Sequence, residues 1–354
     1  MICADRPRLL VLILNPGEIV LHHRIDREEV NVSSDPGMWM IDGHSDWLLD
    51  IADTKRSFFE RSDIGHVDLP RLKEGQISAM VCAVFIRNDD LPHHALIQTL
   101  RMVDRLRKIV EQSEGQVRLV ENVDDIEKSR QEGSFGAVLH YEGAEAIDPE
   151  FTILRLSYAL GLRSIGLTWS RSNIFCEGVG EQNRERGLTY LGKELVRRCN
   201  QIGILVDVSH LNVAGFWDVL ETSSVPIVAS HSNARAICNH ERNLYDDQIR
   251  ALARNGGLMG INFARQFLVE GAKEASDVSL DQMVDHVDHI VNLVGIDHVA
   301  LGSDYDGAGM PEALYDAAQT PVLIQALRDR GYDDESIQKF GRDNWLRVLK
   351  QVWK

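Results

Sequence analysis

The chain has 354 residues, is 44% hydrophobic and sets 38 Lys+Arg against 54 Asp+Glu for a formal charge of −16, the profile of a soluble globular protein. That acidity argues against a nucleic-acid backbone or an anionic membrane surface as the main partner, since both are met by a basic face. No run approaches the ~18 consecutive apolar residues of a membrane-spanning helix, so no membrane insertion is expected.

Leu9–Leu14 and Ile19–His23 flank Asn15-Pro16-Gly17-Glu18 and predict a β-hairpin. The first run is too short for a secretory signal, and no small-residue cleavage site follows it. Arg24–Met38 is polar and carries the turn signal Asp35-Pro36-Gly37. The expected division is therefore a hairpin and linker over residues 1–38, packed on a main domain over residues 39–354.

Short apolar, β-branched runs then alternate with longer helical patterns. The runs are Trp39–Gly43, Ile77–Phe85, Phe135–Tyr141, Ser164–Thr168, Ile204–Ser209, Pro226–Ser230, Gly257–Phe263 and His298–Gly302. Apolar residues three and four apart predict helices at Leu96–Glu111, Leu188–Gln201, Val213–Glu221, Asp246–Arg254, Leu280–Val294 and Asp334–Val352. Eight strands with helices between them fit an α/β fold, the (β/α)8 TIM barrel, better than an open doubly wound sheet. No GxGxxG or P-loop follows any strand, which removes the usual support for a nucleotide fold. Long loops are expected after Asp46 and Trp169. The five cysteines are odd in number and show no CxxC spacing, so neither a disulfide framework nor a thiolate metal site is indicated, and a reducing cytoplasm fits best.

Several strand ends carry a metal-capable side chain: His44 and Asp46 after the first, Glu142 after the third, His210 after the fifth, His231 after the sixth and Asp304 after the eighth. In a barrel these ends converge on one mouth. The nitrogen and oxygen donors suit zinc, with iron, manganese and cobalt left open. Six ligands exceed what one tetrahedral zinc takes, whereas a carboxylate such as Glu142 can bridge two ions. His140 lies two residues before Glu142 and is expected deeper in the barrel as a buried, hydrogen-bonded group.

These residues resemble the membrane (renal-type) dipeptidases, peptidase family M19, a branch of the amidohydrolase superfamily. The likeness spans most of the chain and rests on Ile41-Asp42-Gly43-His44-Ser45-Asp46, Tyr141-Glu142-Gly143, Asp207-Val208-Ser209-His210, Ser230-His231-Ser232 continuing through Arg242-Asn243, and Gly302-Ser303-Asp304-Tyr305-Asp306-Gly307. Gly341-Arg342-Asp343-Asn344-Trp345-Leu346-Arg347-Val348 also looks like the family's closing helix. The pattern His44-x-Asp46, in place of the His-x-His of most amidohydrolases, makes the match specific to this branch.

The resemblance implies two Zn2+ per chain, one held by His44, Asp46 and Asp304 and the other by His210 and His231, with Glu142 bridging. It implies a dipeptidase acting on free dipeptides, L-L and also L-D, by attack of a metal-bridging hydroxide with Asp304 as general base and acid. Arg242 would pair the dipeptide carboxylate, Asn243 is read as structural and His240 as packing or surface, and relatives of this type imply a homodimer. Two positions depart from the family. The strand-four Thr-His pair is Thr168-Trp169 here, and Trp169 can donate one hydrogen bond but cannot be cationic. Ser45 stands where the family has Asn between the two ligands, which would trim the substrate site. Trp169 motivates a second expectation, a binuclear zinc enzyme for another small amide such as an N-acyl amino acid or lactam. A metal-binding scaffold without turnover is the expectation of a different class.

Overall fold

The computed structural model describes residues 37–181 and 186–354. The hairpin expected at Leu9–His23 and the linker up to residue 36 lie outside the described residues. Parallel strands β1 (Met40–Ser45), β2 (Ile77–Phe85), β3 (Val117–Leu119), β4 (Phe135–Glu142), β5 (Leu162–Gly166), β6 (Leu205–Asp207), β7 (Val228–Ala229), β8 (Leu258–Ile261) and β9 (Val299–Leu301) form one sheet in the order β1-β2-β4-β5-β6-β7-β8-β9. All eight expected runs are strands. The addition is β3, three residues long, which pairs with the start of β4 on the edge that β5 occupies from Leu139 onward.

The sheet closes because β9 returns to β1. Asp304 N donates to His44 O at 3.1 Å, Asp46 N donates to Tyr305 O at 2.9 Å, and Ser45 and Tyr305 form a parallel bridge. The buried Asp42 carboxylate fastens the same seam by accepting from Ser303 N at 2.8 Å and Ser303 Oγ at 2.6 Å. With helices between successive strands, the result is a (β/α)8 barrel. The strands are predominantly apolar because both faces of each are covered, as Ile77–Phe85 illustrates with Ser78 its one polar residue.

Ile41, Val81, Val138, Leu205, Val228, Leu258 and Ala300 gather with Trp345 and Val348 of the C-terminal helix into one buried cluster. Leu205, Val228 and Leu258 are the first residues of their strands, so this packing seals the end of the barrel opposite the mouth. That helix differs from the single one expected at Asp334–Val352: Asp334–Gln338 and Asn344–Val352 flank a π-turn at Lys339–Asp343. The turn contains Gly341, where an added Cβ would sit 2.5 Å from Met38 Cε, so the wide turn and the missing side chain together admit β1's entry.

The segment after Asp46 also differs from expectation. Helix Trp47–Thr54 starts at once, its first turn closed by Leu49 N and Asp50 N donating to Asp46 O. Trp47 and Leu48 are fully buried and anchor it, so the irregular stretch begins only beyond residue 54. Among the described residues no helix is long and apolar enough to cross a membrane, and the four described cysteines are free and buried.

Candidate metal centre

Six side chains meet at the mouth. Glu142 Oε1 lies 2.9 Å from His210 Nε2, 3.5 Å from His44 Nε2 and 3.7 Å from His231 Nε2. His44 Nε2 is 3.6 Å from Asp46 Oδ2, and the His44 and His231 rings stack at 3.8 Å. Two groups whose donor atoms are close enough to hold a cation result: His44, Asp46 and Asp304; and Glu142, His210 and His231. The third such group, His44, His231 and Asp207, is of a different kind, because Asp207 already accepts hydrogen bonds from Ser209 and Ser230.

The ring nitrogens show what the site is built to receive. Ser230 Oγ donates to Asp207, so it accepts from His231 Nδ1 at 2.8 Å and leaves Nε2 as a bare lone pair. His210 Nδ1 lies 2.9 Å from Ser170 Oγ, and its Nε2 faces the His231 Nε2 at 2.9 Å. Both nitrogens of the buried His44 lack a hydrogen-bond partner among the described residues. Ring nitrogens converging on one cavity, with the far nitrogens of His210 and His231 fastened from behind by Ser170 and Ser230, are the arrangement that orients imidazoles for a metal.

The charges agree. Burial pushes the Glu142 carboxyl well above its ordinary range, Asp46 and Asp304 push it further, and His44 and Arg242 oppose. Asp304 is raised to about 6, first by burial and then by Asp46, against the pull of His44. Burial disfavours the His44 imidazolium, yet Glu142, Asp46 and Asp304 outweigh it and lift the group to about 10. Burial, with Arg242 and His44 nearby, holds His210 and His231 well below the ordinary imidazole range. Three buried carboxylates and two neutral imidazoles around one cavity form a donor set that a divalent cation fits.

Asn262, which carries no assignment from sequence, fixes Asp304 by donating from Nδ2 to Oδ2 at 2.9 Å. It is itself held, since its N donates to Asn233 Oδ1 and its Oδ1 accepts from Ala264 N. Asn262 follows an apolar strand just as the six candidate ligands do, and that position was the available signal. Gly307 is dictated by proximity: a Cβ there would lie 2.1 Å from Asp46 Oδ2 and 2.5 Å from Asp304 Oδ1. Gly307→Ala is therefore expected to splay both carboxylates and cut metal affinity by at least the ~10–100-fold of a lost orienting contact. Elemental analysis and activity at limiting metal check this, and wild-type values would show that the carboxylates can yield.

A cleft of about 410 Å3 opens over the centre, its lining including Leu49, Phe85, Trp169, Val179, Arg242 and Phe267. A wider surface groove of about 700 Å3 beside Arg235 and Tyr245 contains none of the six. Arg242 is buried, with Nη2 3.2 Å from His210 Nε2 and its guanidinium 5.5 Å from the Phe267 ring. Trp169 faces Phe85 edge-on at 5.3 Å and His210 at 5.7 Å. Ser45 is elsewhere: its buried hydroxyl donates to Tyr305 O at 2.8 Å, and it does not line the cleft, since neighbours on a strand face opposite ways. His140 is buried two residues before Glu142 with Nδ1 2.9 Å from Ser164 Oγ, and Asn243 donates to Cys238 O and Phe267 O. His240 packs on Phe267 at the rim, its Nδ1 accepting from Arg242 N.

A parallel barrel with this constellation at its C-terminal mouth has the architecture of a metal-dependent hydrolase. Residues 36–354 match the membrane dipeptidase family (Peptidase family M19), and the chain belongs to that family, whose members are metallodipeptidases. It is 42% identical over 254 residues to an uncharacterized protein in the pqqA 5′ region of Klebsiella pneumoniae, covering 70% of this chain and 94% of that one. It is 32% identical over 329 residues to dipeptidase tcpJ of Claviceps purpurea, covering 88% and 76%. The crystal structure of a metallopeptidase from Rhodobacter sphaeroides, liganded with a phosphinate mimic of the dipeptide L-Ala-D-Ala, is similar with a TM-score of 0.84 and 32% identity over 89% of this chain and 99% of that one.

Proposed function

We propose that this metallodipeptidase uses two zinc ions per chain to cleave the single peptide bond of free dipeptides, L-L and L-D. The observation that carries the reading is the meeting of two donor groups, His44/Asp46/Asp304 and Glu142/His210/His231, at the floor of one small cleft. Glu142, whose Oε1 lies nearest all three imidazoles, would be shared between the ions. When bound, the pair supplies an activated water and a Lewis acid for the scissile carbonyl.

The protein's own groups do the rest. Asp304 accepts the proton of the attacking water and returns it to the departing amine nitrogen, held in place for both transfers by the Asn262 amide. Arg242, a buried cation beside the centre, receives the substrate carboxylate through its planar fork. A cleft of this size, with one cation for one carboxylate, suits a dipeptide better than a longer chain. The likeness to the Rhodobacter sphaeroides enzyme holding a mimic of L-Ala-D-Ala supports including L-D substrates. Trp169 gives the wall beside His210 an apolar face where a histidine would have offered a charged donor.

The test is metal content per chain followed, on the same sample, by hydrolysis of L-L and L-D dipeptide panels. About two zinc ions and cleavage are expected. No turnover of any dipeptide by the zinc-loaded protein would overturn the reading, and preference for an amide lacking a free amino group would transfer it to the N-acyl or lactam chemistry that Trp169 motivates.

A further inference from the structure

Arg56 touches none of the six ligands, yet it ties together the two segments that carry Asp46 and Asp304. Its side chain is 4% exposed; Nε donates to Asp50 Oδ2 at 2.6 Å, Nη2 donates to Asp306 Oδ2 at 2.9 Å, and Nη1 donates to Val67 O. Asp50 stands one turn beyond Asp46 on helix Trp47–Thr54, its N donating to Asp46 O. Asp306 stands two residues beyond Asp304, its carboxylate 1% exposed and also accepting from His66 N and Val67 N.

We propose that Arg56 is a positioning residue, a clasp that sets the Asp46 and Asp304 half of the metal centre through Asp50 and Asp306. The loop it holds needs holding. Asp304 and Asp306 have φ of 66° and 65°, left-handed values that L-residues other than Asn and Asp seldom adopt. Between them Tyr305 O accepts from Asp46 N and Ser45 Oγ, so the loop's conformation also determines where Asp46 lies. Asp306 N donates to His66 Nδ1 at 2.9 Å, which fastens the loop to the same 56–67 stretch from a second side. The other half has its own supports, Ser170 behind His210 and the Asp207–Ser230 pair behind His231, none of which contacts Arg56. Loss of Arg56 should therefore weaken one metal position and spare the other.

The clasp rests on the two-ion reading above, and the experiment separates the two. Wild type, Arg56→Met, Arg56→Lys and Asp306→Asn are titrated with zinc against a competing chelator, with circular dichroism to verify folding. Wild type is expected to bind two ions. Arg56→Met should keep one at wild-type affinity and bind the other ~10–100-fold more weakly, with Arg56→Lys between them because it keeps the charge and loses the fork. Two ions at unchanged affinity in Arg56→Met, or equal weakening of both, would overturn the clasp. Fewer than two ions in wild type would sink the two-ion reading itself and the clasp with it. Should Arg56→Met not fold, Asp306→Asn, which keeps the shape and removes the charge that Arg56 grips, decides by the same split.

Discussion

Asp304→Asn is expected to lower kcat by about 10²–10⁴-fold, the range for losing a positioned general base, while the protein stays folded. The substitution isolates chemistry from architecture. Among residues with a side chain, asparagine tolerates the left-handed φ of 66° at this position well, so the backbone bonds from Asp304 N to His44 O and from Gly307 N to Asp304 O should survive. An amide oxygen can still accept from Asn262 Nδ2, which keeps the side chain in place. What disappears is the negative charge that, on the proposed mechanism, would take a proton and help hold a cation. Steady-state kinetics at saturating zinc separate the two losses: activity that zinc excess restores reports a ligand, and activity that stays low reports the proton carrier. Wild-type kcat in the variant would remove the base assignment.

Glu142→Gln should damage the centre more broadly, because one oxygen lies within 3.7 Å of all three imidazole Nε2 atoms. The amide keeps the size of the side chain and removes its charge, and with it much of what lifts His44 to about 10 against the cost of burial. If Glu142 is shared by the ions as proposed, metal affinity is expected to fall by more than the ~10–100-fold typical of an orienting contact, since a direct ligand would be lost. The consequence for stability follows from mass action. At a zinc concentration 100-fold above the wild-type Kd, one ion stabilises the fold by about 2.7 kcal/mol, and a hundredfold weaker variant retains only about 0.4 kcal/mol of that. Calorimetry with and without zinc should show a clear rise in Tm for wild type and almost none for Glu142→Gln. An equal rise in both would show that Glu142 is not shared by the ions.

The strand ends explain how much of this was legible beforehand. Parallel strands buried on both faces tend to near-continuous apolar runs, so Ile77–Phe85 and Leu258–Ile261 stand out wherever they fall, and a metal-capable side chain at such an end is conspicuous. His44, Asp46, Glu142, His210, His231 and Asp304 were read in that way. Short elements escaped for the converse reason: β3 has three residues and helix Leu69–Glu74 six, too few for a period to emerge.

The amino-acid sequence by itself determined the barrel and the identity of the six converging groups, because both follow from local patterns of burial and chemistry along each strand. Only the tertiary structure decided how those groups are held. Asn262 against Asp304, Ser230 against His231 and Arg56 between Asp50 and Asp306 join residues 42, 1, 6 and 250 positions apart, and apart from neighbours no spacing rule links them. The same holds for Ser45, whose placement between two ligands suggests the cleft while the alternation of a strand turns its hydroxyl to the β1–β9 seam. Ligand identity is a property of a residue, whereas orientation is a property of the contacts that chain closure brings to it.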